Sequence, residues 1–369
     1  MPLFDRRLIQ NFDWVLLGLV TLIGAMCIAN LYSATPDNFH GTPIYLKQFY
    51  FFIMGFALIF IIISFDYRIL VEVNYTLYIA IIFLLLFSLI FGKDLAGTRR
   101  WIDLGFFRLQ PSEPAKLMLV ITLASYYFRK DTGKGFTLRE LMVPIMLAGL
   151  PFILIVMQPD LGTGLMLAFI FISMTLFVKL RWSTLVTLIV TTMLTAGIGW
   201  QYLLKPYQRQ RIETFLNPGA DSLDTGYHIT QSKIAVGSGL KFGKGYLKGT
   251  QGHLDFLPER HTDFAFSIWA EEWGFFGSLF LLGVYFSLIF WGLSIAVSSR
   301  DKFGTLLCVG VVSLIFWQAF VNLAMVMGLL PVVGMPLPLF SYGGSSLITT
   351  MAGLGILMSV QMRRYQAPV

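Results

Sequence analysis

Residues 303–362 read FGTLLCVGVVSLIFWQAFVNLAMVMGLLPVVGMPLPLFSYGGSSLITTMAGLGILMSVQM, with no acidic or basic side chain anywhere in the run. A helix needs about 20 apolar residues to cross the hydrocarbon of a bilayer, so the stretch is far too long for one span. Pro331, Gly334, Pro336 and Pro338 interrupt it and leave two spans, near 303–328 and 344–362. The rest of the chain has the same character. Of 369 residues, 56% are hydrophobic and 13% charged, with 34 Phe and a mean hydropathy of +0.72. That charged share is about half the usual one, too small to cover a soluble protein of this length. Disordered, collagen-like and disulfide-rich classes are excluded on the same grounds.

Further charge-free runs lie at 14–33, 48–65, 73–92, 141–159, 161–178, 183–204 and 273–299. A shorter one near 113–128 carries Glu113 and Lys116 in its first turn and is counted to keep later loops on a consistent side. The expectation is an all-α polytopic protein of ten transmembrane helices with both termini cytoplasmic. It forms a single membrane domain, 1–369, with a large extracytoplasmic loop at 201–262 between spans 7 and 8. The inner segments then hold 13 Lys and Arg against five in the short outer loops, in the sense of the positive-inside rule. The first span reads as a retained span, since it is long and lacks a small-residue cleavage site.

Cys27 and Cys308 lie inside apolar runs and read as small buried hydrophobes. The net charge of +7 is scattered among loops, which fits anionic lipid or a phosphorylated substrate better than nucleic acid. His40, His228, His253 and His261 lack metal-ligand spacing. The glycine-rich run G-S-G-L-K-F-G-K-G at 237–245 offers backbone freedom and anion-binding amides but fails the nucleotide-loop pattern at Ser238 and Gly245.

The unusual polar segments all fall on the outer side of this topology. In Q-P-S-E-P-A-K at 110–116, Ser112 suits an N-cap, and Glu113 and Lys116 share a helix face. They read either as a local ion pair or as a pair facing a polar cavity. Arg99 and Arg100 are either interfacial snorkelling residues or phosphate ligands. Asp160, between Pro159 and Gly162, is a turn residue or the wall of a pocket. Asp263 is a first-turn acid favoured by the helix dipole, or a general base at the mouth of a membrane cavity. Glu271 and Glu272 either pair with basic groups or sit in a wet region.

Taken together these motifs resemble the SEDS family (shape, elongation, division and sporulation), and within it the RodA type of peptidoglycan polymerase. The most specific matches are R-W-I-D-L-G-F-F-R-L-Q-P-S-E at 100–113, Q-P-D-L-G-T at 158–163 and Y-Q-R-Q-R-I at 207–212. G-Y-H-I-T-Q-S-K-I-A-V-G-S-G at 226–239 and G-T-Q-G-H-L-D-F-L-P-E-R-H-T-D-F at 249–264 complete the set. Arg260 and Y-Q-R-Q-R favour elongation over division, and Pro338-Leu339-Phe340 is a local departure.

The resemblance implies a glycosyltransferase that polymerises lipid II at the outer face of the bacterial inner membrane, with lipid II as both donor and acceptor. It implies Asp263 as catalytic carboxylate. Substrate and pyrophosphate contacts are expected from Arg99, Arg100, Glu113, Lys116, Asp160, Arg209, Arg211, Lys233, His261 and Ser341. Arg99, Arg100, Glu113, Lys116, Asp160 and Asp263 are expected to converge on one cavity. No organic cofactor is implied, and a divalent cation (magnesium or manganese) is left open. The implied partners are a class B penicillin-binding protein, the elongation complex and membrane lipid. A lipid II flippase, a non-catalytic scaffold and a division or sporulation paralogue are the rival readings.

Overall fold

A computed structural model describes residues 11–35, 42–95, 98–103, 105, 108–130, 133, 135–198, 209, 213–215, 225–253 and 259–364. The first three helices are α1 (Trp14–Ala34), α2 (Ile44–Ser64) and α3 (Ile69–Phe91). A small antiparallel sheet follows, in the order β1 (Lys93–Leu95), β2 (Thr98–Asp103), β3 (Arg108–Leu109). Its register pairs Lys93 with Trp101 and Ile102 with Leu109. Then come α4 (Ser112–Arg129), α5 (Leu138–Met157), α6 (Leu161–Phe177) and α7 (Trp182–Ile198). The long loop contains α8 (Thr225–Ser238) and α9 (Thr250–His253), and α10 (Ala265–Ser298), α11 (Lys302–Val326) and α12 (Gly344–Met362) close the fold.

Polar residues at element ends fix where helices begin. Asp13 accepts the Leu16 amide at 2.9 Å and starts α1, and Asp301 accepts that of Gly304 at 2.7 Å and starts α11. Thr137 and Glu140 form a capping box on α5. The charge-free run divides where its prolines fall, α11 ending at Val326 and α12 starting at Gly344.

The expected ten spans are corrected to seven. Among the described residues, α1, α2, α3, α5, α10, α11 and α12 are long and apolar enough to cross a membrane. The expected spans at 113–128, 161–178 and 183–204 do not meet that standard. α6 has 17 residues, about 26 Å at 1.5 Å per residue against about 30 Å of hydrocarbon. α7, Trp182–Ile198, likewise has 17 residues. α4 carries Glu113, Lys116 and Arg129 and is buried along nearly its whole length by neighbouring helices, so its environment is protein. The eighth expected span, at 273–299, is also redrawn. α10 starts at Ala265 and is interrupted at Gly274, whose φ of 65° leaves the helical region.

One end of the array carries the short basic loops. There Arg68 pairs with Asp301 at 3.3 Å, and Arg363 donates to the Ile63 carbonyl at 2.8 Å. The opposite end carries the sheet, the proline-rich segment 331–343 and the turn at 259–264.

Candidate active site

Asp160 is the N-cap of α6, and its carboxylate is saturated with donors. Oδ1 accepts the Thr163 amide at 3.1 Å; Oδ2 accepts the Thr163 hydroxyl at 3.0 Å and Gln110 Nε2 at 3.1 Å. Arg100, from β2, places Nη1 3.3 Å from the same Oδ2 while staying part-exposed. Its Nε has no hydrogen-bond partner among the described residues. A guanidinium thus leans from the sheet toward a buried carboxylate while part of its side chain stays exposed.

Glu113 and Lys116 sit one turn into α4. Lys116 is 2% exposed; its Nζ lies 2.9 Å from Glu113 Oε1 and 3.3 Å from Gln318 Oε1 on α11. Gln318 turns its amide to the Pro336 carbonyl at 3.2 Å and the Ser346 hydroxyl at 3.1 Å. The pair is therefore linked to the proline-rich segment. Ser112 opens α4 from within its first turn, behind Pro111, and is not the expected N-cap.

That segment joins the other candidates. Ser341 Oγ accepts the Leu337 amide at 2.9 Å, and its carbonyl accepts Gln48 Nε2 at 3.1 Å, so its polar atoms hold the turn itself. Ser345 bridges to β3, donating to the Arg108 carbonyl at 3.0 Å and accepting the Gln110 amide at 3.1 Å. Tyr342 donates its amide to the His261 carbonyl at 2.8 Å. Burial lowers the His261 pKa below its ordinary value, against an opposing pull from Glu259.

Asp263 lies in the turn before α10, not in its first helical turn, so the dipole reading does not apply to it. Asn322 Nδ2 holds its carbonyl at 2.8 Å, and its Oδ2 would lie 3.5 Å from a Cβ placed on Gly334. At the neighbouring residue, a Cβ on Gly162 would come 2.5 Å from the Val333 carbonyl oxygen. Segment 333–334 thus adjoins both the first turn of α6, which Asp160 caps, and Asp263, at the same end of the molecule.

Other expected residues stand apart or cannot be placed. The Arg99 side chain and Arg211 lie outside the described residues. Arg209 is described singly. Lys233, on α8, lies over Gly328, where a Cβ would meet its Nζ at 2.6 Å. Among the described residues no three His, Cys, Asp or Glu side chains converge as a metal site. A cavity of about 410 Å³ lined by Lys179, Lys302 and Phe136 contains none of the site residues and opens at the far end. Sequence reasoning missed Gln318 and Asn322. Their spacing of four residues on α11 puts both amides on one face, and that was the available signal.

The family model described as "Cell cycle protein" (FTSW_RODA_SPOVE) matches residues 8–366. Peptidoglycan glycosyltransferase MrdB of Escherichia coli (strain K12) is 44% identical over 288 residues, 78% of this chain and 77% of its own. Peptidoglycan glycosyltransferase RodA of Treponema pallidum (strain Nichols) is 32% identical over 432 aligned positions, covering 97% of this chain and 99% of its own. A chain from a solved peptidoglycan synthase complex, described as coordinating polymerization and crosslinking, is 34% identical with a TM-score of 0.83. That match covers 96% of this chain and 99% of the other. Similar along nearly its whole length to such proteins, the chain belongs to the SEDS family of peptidoglycan glycosyltransferases, related to RodA and FtsW and acting in cell-wall synthesis.

Proposed function

We propose that the chain polymerises lipid II at the outer face of the bacterial inner membrane during elongation, with Asp263 as general base. The observation that carries this is that segment 333–334 adjoins both Asp263 and the turn of α6 capped by Asp160, the partner of Arg100, which sets a carboxylate and a guanidinium at one end of the helices. Counted over the short loops alone, Lys and Arg favour the other end by 13 to five, which supports an outward-facing site. A similar chain's place in a synthase complex supports a class B penicillin-binding protein as partner.

The chemistry follows from these groups. An acceptor sugar hydroxyl gives its proton to the Asp263 carboxylate as its oxygen bonds to the donor's anomeric carbon. The bond from that carbon to the lipid-linked pyrophosphate breaks, and the leaving group takes the bonding electrons. Arg100, whose side chain stays part-exposed, meets the pyrophosphate charge. Asp160, with both oxygens already accepting, orients Arg100. Lys116 and Glu113 support the site from beneath. Among the described residues no three His, Cys, Asp or Glu side chains make a metal cage, and no step here runs through a magnesium or manganese ion.

The test is glycan-strand formation on a gel, with purified protein, its penicillin-binding partner and lipid II in detergent. Asp263→Asn keeps shape and removes the base, so turnover should fall by roughly 10²–10⁴ while labelled lipid II still binds. Near wild-type polymerisation by this variant would place the base elsewhere. A wild-type protein that forms no strands in detergent would favour the flippase reading.

A further inference from the structure

The glycine-rich run at 237–245 takes no part in the site above, and its amides do not form an anion cradle. Two of them are spent on α10, while those of Leu240 and Gly243 go to carbonyls within the run. The Lys244 amide donates to the Glu271 carbonyl and that of Gly245 to Glu272, each at 3.0 Å. In return, the Phe275 amide donates to the Leu240 carbonyl at 2.9 Å and that of Phe276 to Lys241 at 3.2 Å. The break at Gly274 frees those two amides from the helix ladder. A Cβ on Gly243 would come 2.0 Å from the Glu272 carbonyl oxygen, so glycine is required for this contact.

Clamped in this way, the loop turns its largest side chains outward. Leu240 and Phe242 are each 79% exposed. The Phe242 ring lies 5.3 Å from that of Phe276, and exposed Phe275, Leu279 and Phe280 continue the apolar surface along α10. Tyr246 and Trp273 stand beside it with ring centroids 6.2 Å apart.

Depth can be read from the helix. Phe275–Ser298 is 24 residues, about 36 Å at 1.5 Å per residue, enough to cross about 30 Å of hydrocarbon. The break at Gly274 therefore falls at the hydrocarbon boundary, and the loop docked on 275–276 lies at that level.

We propose that loop 239–248 is a membrane-interface anchor. Leu240 and Phe242 enter the boundary between head groups and hydrocarbon, Tyr246 and Trp273 serve as interfacial aromatics, and Lys241 and Lys248 meet lipid phosphates. Bilayer lipid is the occupant because the patch is continuous with the outer surface of a spanning helix and is edged by lysines. The anchor is tied to the polar end through Glu271, whose Oε1 accepts Lys244 Nζ at 2.6 Å and the Thr250 amide at 2.9 Å. It thereby sets the height of the turn carrying Asp263.

Full-length protein in nanodiscs of mixed neutral and anionic phospholipid provides the test. Nitroxide labels are placed at Phe242→Cys and, separately, Lys248→Cys; Cys27 and Cys308 are fully buried and will not compete. Dissolved oxygen should relax the label at 242 severalfold more than an aqueous nickel chelate does, with the reverse at 248. Equal nickel access at both positions would overturn the proposal. So would a label at 242 shielded from both reagents, which would put protein there. A second arm rests on the polymerase reading: Leu240→Ser with Phe242→Ser should lose turnover severalfold in nanodiscs and keep it in detergent. Equal turnover in nanodiscs, or equal loss in both media, would remove the height-setting role whatever the labels report.

Discussion

The side-chain amide of buried Asn322 donates to the backbone carbonyl of Asp263 at 2.8 Å, and the same nitrogen donates to the Met335 carbonyl at 2.6 Å. One residue of α11 thus fixes the turn that carries the proposed base to the segment it faces. Asn322→Asp keeps the shape and removes the donor, leaving two carbonyls without it. Losing a buried donor costs about 1–3 kcal/mol, so thermal unfolding in detergent should shift down. Turnover should fall further than that shift explains, with lipid II binding little changed. A variant that unfolds earlier but polymerises at the normal rate per folded molecule would show that the clamp does not position Asp263.

Gly162 and Gly164 offer a matched pair on α6. A Cβ on Gly162 would come 2.5 Å from the Val333 carbonyl oxygen, whereas on Gly164 it would meet the Val156 side chain at 3.2 Å. Side chains can yield by tenths of an ångström, but the Val333 carbonyl can yield only by moving backbone, and Gly334 next to it adjoins Asp263. Gly162→Ala should destabilise by about 1–3 kcal/mol and depress strand formation strongly. Gly164→Ala should stay close to wild type in the same gel assay. Equal activities would mean that the segment moves without disturbing the base.

The broad frame was legible because hydropathy sums over some twenty residues, and prolines 331–338 divide the charge-free run where α11 and α12 part. The count of spans was not legible, because a hydropathy pattern does not distinguish lipid from protein as the apolar neighbour. α4 is surrounded by helices, and α6 stops at 17 residues. At the site, charged residues flagged Arg100, Asp160 and Asp263 directly. The neutral connectors Gly162, Gln318 and Asn322 act through contacts distant in sequence, which residue type alone does not announce. The glycines at 237–245 were read for anion binding, yet the same freedom serves backbone docking onto α10.

Lys116 and Glu113 separate a structural pair from a substrate ligand. Both are buried and joined at 2.9 Å. Lys116→Met strands a buried carboxylate, which costs about 3–5 kcal/mol when a buried pair loses one partner. Adding Glu113→Gln removes that charge, so the double variant should regain most of the lost stability in a thermal unfolding assay. If it regains polymerisation too, the pair only supports α4. If stability returns without activity, the ammonium acts on substrate. Failure of the double variant to regain stability would show that Gln318, left without its Lys116 donor, matters more than the charge.

His261 gives the turn at 259–264 a pH dependence whose sign follows from burial. Burial holds its pKa below the ordinary 6.5. Above pH 6.5 both folded and unfolded chains carry it neutral, and it adds no slope to stability. As pH falls through 6.5 the unfolded chain takes up a proton that the folded turn resists, so stability declines until the depressed folded pKa is reached. The Tyr342 amide on the His261 carbonyl ties this turn to segment 331–343, so loosening it should reach Asp263. Unfolding temperatures in detergent, followed downward from neutral pH, should therefore fall more steeply for wild type than for His261→Gln, which cannot titrate. Parallel curves for the two proteins would show that the imidazole is as readily protonated in the folded turn as in the unfolded chain.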